Sequence, residues 1–152
     1  MKKDIGFIML KIDNNPTSNI IIKNISQFIV DNPYKQIVVF NSVNNRICNE
    51  NVPILHLNQA KFFTGNIFIF DTMSLLFARN FTNIDTIFMY ASNVFWSKNS
   101  YSKYLGIESL FSLNNLEFIV PNQELYDIYE MCWKKPLGIC ENFNYESLKT
   151  ML

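Results

Sequence analysis

Short apolar runs, separated by amphipathic stretches, constrain the fold of this chain more than any other feature. The runs are Ile5–Ile12, Gln36–Phe40, Pro53–Leu57, Asn66–Phe70, Asp85–Ala91, Leu116–Val120 and Leu137–Cys140. Most of them show little apolar–polar alternation, which is typical of strands buried on both faces of a parallel sheet. We therefore expect each run to form a strand of such a sheet.

Segments of helical character follow most of these runs. A helix capped by Thr17 or Ser18 is expected after the first run, and further helices over Met73–Phe81, Ser102–Leu113, Gln123–Trp133 and Tyr145–Leu152. Alternating strands and helices predict an α/β fold, here a three-layer Rossmann-like domain with a mostly parallel sheet of about six to seven strands. A length of 152 residues suits a single domain spanning residues 1–152.

The stretch Gly65–Ser74 (GNIFIFDTMS) joins a predicted strand directly to a predicted helix. Asp71 would stand at the carboxyl end of that strand, where parallel sheets bind ligands and helix N-termini also point. Asp71 is therefore the candidate general base, with Thr72 beside it as a ligand contact. The alternative is that Asp71 or Thr72 caps the following helix, and one residue can do both.

Polar side chains also follow the other predicted strands. The candidate ligand-binding residues are Asp13, Asn14, Thr72, Asn93, Asn122, Glu141 and Asn144. In a parallel sheet all of these would face one edge, where amides and carboxylates could bind a sugar or a nucleotide. The alternative is that they are ordinary polar loop residues at strand ends.

Several common signatures are missing from the sequence. There is no GxGxxG after the first strand, no GxxxxGK[ST] and no GxSxG, and the chain has only four glycines. The sequence therefore predicts neither conventional dinucleotide binding, nor a P-loop, nor a hydrolase nucleophile elbow. We expect no cofactor.

The few cysteines and the single histidine do not form a recognisable metal site. Cys48, Cys132 and Cys140 contain no CxxC pair, and we expect no metal and reduced thiols. His56 lies within an apolar run, which favours a packed histidine over a ligand.

Composition narrows the expected location and partners. The formal net charge is zero, which argues against broad nucleic-acid binding. No apolar run approaches a membrane span and no signal peptide is recognisable, so we expect a cytoplasmic protein without membrane contact. Frequent Asn, Ile, Lys and Phe suit an AT-rich genome, such as that of a phage or a low-GC bacterium, and for a phage protein the expected location is the host cytoplasm.

Aromatic residues concentrate after the strand Asp85–Ala91. They are Phe95, Trp96, Tyr101 and Tyr104. Aromatic rings at such a position could stack on a base or sugar, anchor a partner protein, or simply belong to the core. Trp133, beside Lys134 and Lys135, fits the end of a core-packed helix.

The segment Leu116–Leu148 resembles the end of the N-terminal domain of glycosyltransferases with two Rossmann domains, the GT-B type. The resemblance rests on a strand followed by Val120–Gln123 and a helix, and on a loop of the form (D/E/N)-x-(F/V)-(D/N), here Glu141–Asn144. Within that family, the composition of the chain favours the phage-encoded sugar transferases that act on modified DNA bases. The resemblance implies an acceptor-side half that binds a nucleotide sugar or modified DNA. It also implies that the donor site comes from a second domain, so a partner chain or a homo-oligomer is expected.

Two other classes of protein remain open from the sequence. The first is a non-enzymatic interaction module of phage or bacterial origin, using the Phe95–Tyr104 segment and the terminal helix as an interface. The second is a flavodoxin-like or receiver-like domain. It ranks lower because no acidic pair precedes Asp13, as a receiver would require.

Overall fold

A computed structural model describes residues 3–10, 12, 16–42, 51–97 and 101–152, and only the backbone of 101–105. Its seven strands are β1 (Ile5–Ile8), β2 (Ile37–Asn41), β3 (Ile54–His56), β4 (Gly65–Ile69), β5 (Ile84–Tyr90), β6 (Leu116–Val120) and β7 (Gly138–Ile139). Its α-helices are α1 (Pro16–Asp31), α2 (Thr72–Ala78), α3 (Tyr101–Phe111), α4 (Gln123–Cys132) and α5 (Tyr145–Met151). Two 3-10 segments, Leu57–Phe62 and Glu141–Phe143, complete the described elements.

All seven strands pair in parallel within one sheet, in the order β3-β2-β1-β4-β5-β6-β7. The predicted α/β class with a sheet of about six to seven strands is therefore confirmed, and the sheet is parallel throughout. The strand order is that of a Rossmann-like fold, in which the chain builds outward in one direction from β1 and then in the other from β4.

The central strands are buried on both faces, as their uninterrupted apolar sequences predict. Every residue of β1 and β2 is buried, and so is the second half of β5. In a parallel sheet this burial requires a layer of helices on each face.

Two hydrophobic cores lie on the two faces of the sheet. On one face, here called the α1 layer, α1, α5 and the Glu141–Phe143 turn cover side chains such as Phe7 and Phe68. On the other face, here called the α2 layer, the Leu57–Phe62 segment, α2, α3 and α4 cover side chains such as Ile67 and Phe118. The architecture therefore has three layers, helix–sheet–helix.

Most boundaries lie within one or two residues of those predicted, and three expectations are wrong. Helix α1 begins at Pro16, so Thr17 and Ser18 lie in its first turn and neither is the cap. Proline is favoured in the first helical turn because its fixed φ suits the helix and its missing N–H would have no partner there. The first strand ends at Ile8, although the apolar run extends to Ile12.

The third wrong expectation concerns His56, which is exposed rather than packed. β3 is an edge strand of three residues with one neighbour, so its apolar sequence is only partly covered. The Nδ1 atom of His56 accepts a hydrogen bond from the Asn58 N–H at 3.2 Å and caps the Leu57–Phe62 segment.

Candidate functional site

The strand order places a topological switch point between β1 and β4. The chain leaves β1 for α1 in the α1 layer, and it leaves β4 for α2 in the α2 layer. Because the two connections diverge to opposite faces, this is the position at which open α/β sheets form a crevice outside the carboxyl ends of their strands and bind ligands there. The stretch Gly65–Ser74 contains one of the two strands that define this crevice.

Asp71 stands directly at this crevice, two residues after the end of β4, and caps α2. Its Oδ1 accepts from the Ser74 N–H at 2.7 Å, and its Oδ2 accepts from the Ser74 hydroxyl at 2.9 Å. Ser74 is fully buried, so both contacts hold the half-buried carboxylate in one orientation. Each oxygen has a second lone pair that can accept a hydrogen bond from a ligand hydroxyl. The capping interpretation is thus confirmed, and the role as general base stays a prediction.

The loop after β7 returns across the sheet toward the same crevice. The Phe143 ring is buried among four other rings of the α1 layer and the strand ends. Its centroid lies 6.3 Å from Phe7, 5.9 Å from Phe68, 5.0 Å from Phe70 and 5.2 Å from Tyr90. The Glu141–Asn144 loop therefore packs next to Phe70, the residue before Asp71, although β7 lies at the far edge of the sheet.

Tyr90, at the end of β5, fixes this loop by two hydrogen bonds. Its hydroxyl donates to the Cys140 carbonyl at 3.0 Å and accepts from the Phe143 N–H at 3.2 Å. These bonds stabilise an uncommon backbone conformation. Asn142 and Phe143 have φ angles of 52° and 53°, which lie in the left-handed region. Asparagine tolerates that region, whereas a bulky aromatic residue adopts it only when its surroundings impose it.

The Cys140 thiol is a structural group of this loop. It is buried, it donates to the Asn144 carbonyl at 3.4 Å, and burial raises its pKa to about 11. A thiol with so high a pKa stays protonated at neutral pH and is a poor nucleophile. Cys132 is free and exposed, and Cys48 lies outside the described residues.

Other predicted site residues also cap helices at the carboxyl edge. The Oδ1 of Asn122 accepts from the Leu125 N–H at 2.9 Å and caps α4. The Oδ1 of Asn144 accepts from the N–H groups of Glu146 and Ser147 at 2.9 and 3.3 Å and caps α5. These caps use the side-chain oxygens, so the amide nitrogens remain suited to donating toward a ligand.

The remaining predicted residues follow the same strand ends. Thr72 is the first residue of α2, and Glu141 is exposed at the start of the loop after β7. Asn93 follows β5 with an exposed side chain, and its carbonyl accepts from the Tyr129 hydroxyl at 2.9 Å. Asp13 and Asn14 lie outside the described residues. On the β2 side, the Ser42 hydroxyl donates to the Leu10 carbonyl and ties the ends of β1 and β2 together.

The two aromatic residues of this segment whose side chains the structure describes, Phe95 and Trp96, pack against the core of the α2 layer. Trp96 packs edge-on against Phe111, Tyr129 and Trp133, with centroids 6.0, 5.0 and 5.3 Å away. This packing favours a structural role for Trp96 and confirms that Trp133 ends a core-packed helix. The side chains of Tyr101 and Tyr104 lie outside the described part of the structure.

The sequence analysis did not single out Tyr90 or Phe143. Their ring contacts and hydrogen bonds hold the loop after β7 at the carboxyl edge. The available signal was a single aromatic residue, Phe143, inside an otherwise polar loop. Such a residue has no apolar neighbours in sequence, and only the fold shows which rings it contacts.

Within residues 3–10, 12, 16–42, 51–97 and 101–152, no group of three or more His, Cys, Asp or Glu residues is arranged to bind a metal ion. A search of that same part of the chain found no helix with the length and apolarity that crossing a membrane would take.

The chain was compared with protein-family models, with curated proteins and with solved structures, and none of them matches it. The class that the fold defines is therefore a Rossmann-like α/β protein, and function has to be argued from its edge and surface chemistry.

Proposed function

We propose that the crevice between β1 and β4 binds a sugar- or nucleotide-type ligand, in the manner of the acceptor-side half of a GT-B glycosyltransferase. The observation that carries the proposal is the switch point of the all-parallel sheet, with the Asp71 carboxylate held at its rim. Ligands of open α/β sheets bind at such a position.

The chemistry of the rim suits a ligand rich in hydroxyl groups. Asp71 accepts hydrogen bonds and, if a reaction occurs, takes a proton from an acceptor hydroxyl as general base. The amides of Asn93, Asn122 and Asn144, the Thr72 hydroxyl and the Glu141 carboxylate are the proposed ligand contacts. Asp13 and Asn14 belong to the same proposal by their position after β1.

The ligand is either a nucleotide sugar or a modified DNA base with its sugar. The GT-B resemblance places the donor site in a second domain, so the proposal includes a partner chain or a second copy of this chain for catalysis. The proposal includes a phage origin, with the protein acting in the cytoplasm of the infected host cell. The neutral net charge favours recognition of a single sugar or base over broad contact with nucleic-acid phosphates.

Asp71→Asn tests this proposal, because asparagine retains the oxygen that caps α2 but removes the charge. The free energy of unfolding should change by less than about 1 kcal/mol, while affinity for the ligand falls at least tenfold. The measurement is a thermal-shift titration with nucleotide sugars and short modified DNA. A ligand at about 100 times its dissociation constant raises stability by about 2.7 kcal/mol.

The matched control is Asp127→Asn, which removes an exposed carboxylate from α4. It should leave the ligand-induced shift intact. Equal shifts for Asp71→Asn and the unaltered chain would exclude Asp71 from the site. No shift with any ligand would contradict the proposed function as a whole.

The second candidate function is a protein-interaction module, and α2 supplies the observation that favours it. Met73, Leu76 and Phe77 share one face of this helix at spacings of three and four residues, and 56%, 37% and 44% of their surfaces are exposed. This face, here called the α2 face, is an apolar surface of the kind that partners cover. Loss of partner capture in Met73→Gln/Phe77→Gln, with capture intact in Asp71→Asn, would favour this function over the first.

A further inference from the structure

A cavity lies at the amino edge of the sheet, opposite the carboxyl edge and on the α2-layer side. Its volume is about 450 Å³, within the range of small-molecule sites. Asp4, Gln36 and Thr64 line it, and they directly precede β1, β2 and β4. Parallel strands begin at the same edge of a sheet, so the fold brings together polar side chains that are far apart in sequence.

The other half of the lining is aromatic. Phe40 and Phe63 are its buried part, with ring centroids 5.5 Å apart. Gly6 makes room for them, because a Cβ atom there would lie 3.0 Å from the Phe40 ring and 3.2 Å from the Phe63 ring. The Phe62 side chain also lines the cavity, and 74% of its surface is exposed. An exposed ring in this position can stack on a planar group of a ligand.

The carboxylate of Asp4 is held in place by the surrounding main chain. Its Oδ1 accepts from the Gln36 N–H at 2.9 Å, and the Asp4 carbonyl accepts from the Asn66 N–H at 3.0 Å. A carboxylate offers about four lone-pair sites, so both of its oxygens can also accept from hydroxyl groups of a ligand. Asp4 is half-buried, and the lower local dielectric strengthens such hydrogen bonds.

Gln59 lies on the same side of the Leu57–Phe62 segment as Phe62. The two residues are three positions apart, and side chains at that spacing eclipse each other in a 3-10 helix. Both line the cavity. The carboxamide of Gln59 carries a donor and an acceptor together, which is the combination that pairs with the edge of a nucleic-acid base.

The two halves of this lining match the two halves of a ribonucleoside. A base has a flat π-face that stacks on an aromatic side chain, whichever base it is. Ribose hydroxyls donate to a carboxylate in the nucleotide sites of other α/β proteins. A simple sugar would use Asp4 but not the stacking surface, and an apolar ligand would leave the Asp4 carboxylate without a donor.

We infer that this amino-edge cavity binds a ribonucleoside, with its base stacked on Phe62 and paired with Gln59, and with a ribose hydroxyl donating to Asp4. This inference is independent of the proposed function, because Asp4, Gln59 and Phe62 all lie away from the carboxyl edge of the sheet.

The experiment titrates the full 152-residue chain with adenosine, guanosine, cytidine and uridine by calorimetry. At least one of them should bind at least tenfold more tightly than methyl ribofuranoside, which has no base, and than its own 2′,3′-dideoxy form, which has no hydroxyl for Asp4. NMR should show the accompanying shifts at the Gly6 and Thr64 amides, which lie at the cavity.

Two variants separate the contacts. Phe62→Ala should weaken the ribonucleoside and its dideoxy form alike, by roughly tenfold, because both stack. Asp4→Asn retains an oxygen that accepts from the Gln36 N–H, and it should weaken the ribonucleoside by roughly tenfold while leaving the dideoxy form unchanged. A purely structural effect of Asp4 would weaken both ligands.

The matched controls are Met131→Ala, which removes an exposed apolar side chain from α4, and Asp127→Asn, which removes an exposed carboxylate from the same helix. Neither should change the affinity. No saturable binding of any ribonucleoside below about 10 mM would overturn the inference, and so would equal binding of methyl ribofuranoside. Binding that is lost in Asp71→Asn but kept in Phe62→Ala would place the ligand at the carboxyl edge. That outcome overturns this inference and supports the proposed function, so the two failures are distinguishable.

Discussion

At the start of β4, Gly65 has a φ of 130°, a conformation that residues with a side chain rarely adopt. A Cβ atom there would lie 2.5 Å from the Asp4 carbonyl oxygen. The close approach lets the Asn66 N–H donate to that same oxygen at 3.0 Å and aligns β4 with β1. The strand that bounds the proposed crevice therefore depends on one glycine.

Gly65→Ala should destabilise the protein by at least about 2 kcal/mol, since it combines backbone strain with a clash against the main chain. Gly106→Ala is the matched control. Gly106 lies in α3 with open space around it, so alanine there should stabilise by about 0.5–1 kcal/mol. Urea unfolding of both variants gives the free energies. A Gly65→Ala protein as stable as the unaltered chain would contradict the role of this glycine in aligning β4 with β1.

At the scale of elements, the seven-residue helix α2 has one side that packs in the core and another that is exposed. Leu75 is fully buried against the sheet, whereas Met73 and Phe77 belong to the exposed α2 face. Leu75→Ala should cost about 2–5 kcal/mol because it leaves a cavity in the core. Met73→Gln/Phe77→Gln should cost less than about 1 kcal/mol, because much of both side chains is already in water.

Denaturant unfolding monitored by circular dichroism measures both changes. Similar destabilisation in the two variants would mean that the α2 face is packed in solution. That result would contradict an interaction surface on α2. A large difference would leave the α2 face available to a partner.

At the scale of the whole molecule, both helical layers bury groups that ionise in alkali. Burial raises the pKa of Cys140 from 9.0 to about 11, and it raises the pKa values of Tyr90 and Tyr129 above the usual 10.0. Above about pH 9 the unfolded chain loses these protons while the native protein keeps them. Native stability is therefore complete below pH 9 and declines as the pH rises.

We expect the free energy of unfolding to fall between pH 8 and pH 10.5, with Cys140 contributing on the order of 2 kcal/mol of this fall. Urea titrations at the two pH values measure the fall. Cys140→Ala should show a shallower decline, because one of the buried groups is gone. Constant stability across this range would contradict the burial of these groups.

Local sequence determined most of the secondary structure. Apolar runs such as Leu116–Val120 indicate strands buried on both faces, because alternation is absent, and β6 has those same bounds. Capping chemistry at Asp71 and Asn122 follows from short-range geometry and could be predicted for the same reason. These features depend on neighbours three or four residues away.

The tertiary structure alone decided which strands are neighbours, and therefore which polar residues meet. The switch point between β1 and β4 and the return of Phe143 to Phe70 both join residues that are far apart in the chain. The exposure of His56 and of the α2 face has the same origin. Burial depends on what the rest of the chain places against a side chain, and no local pattern of apolar residues contains that information.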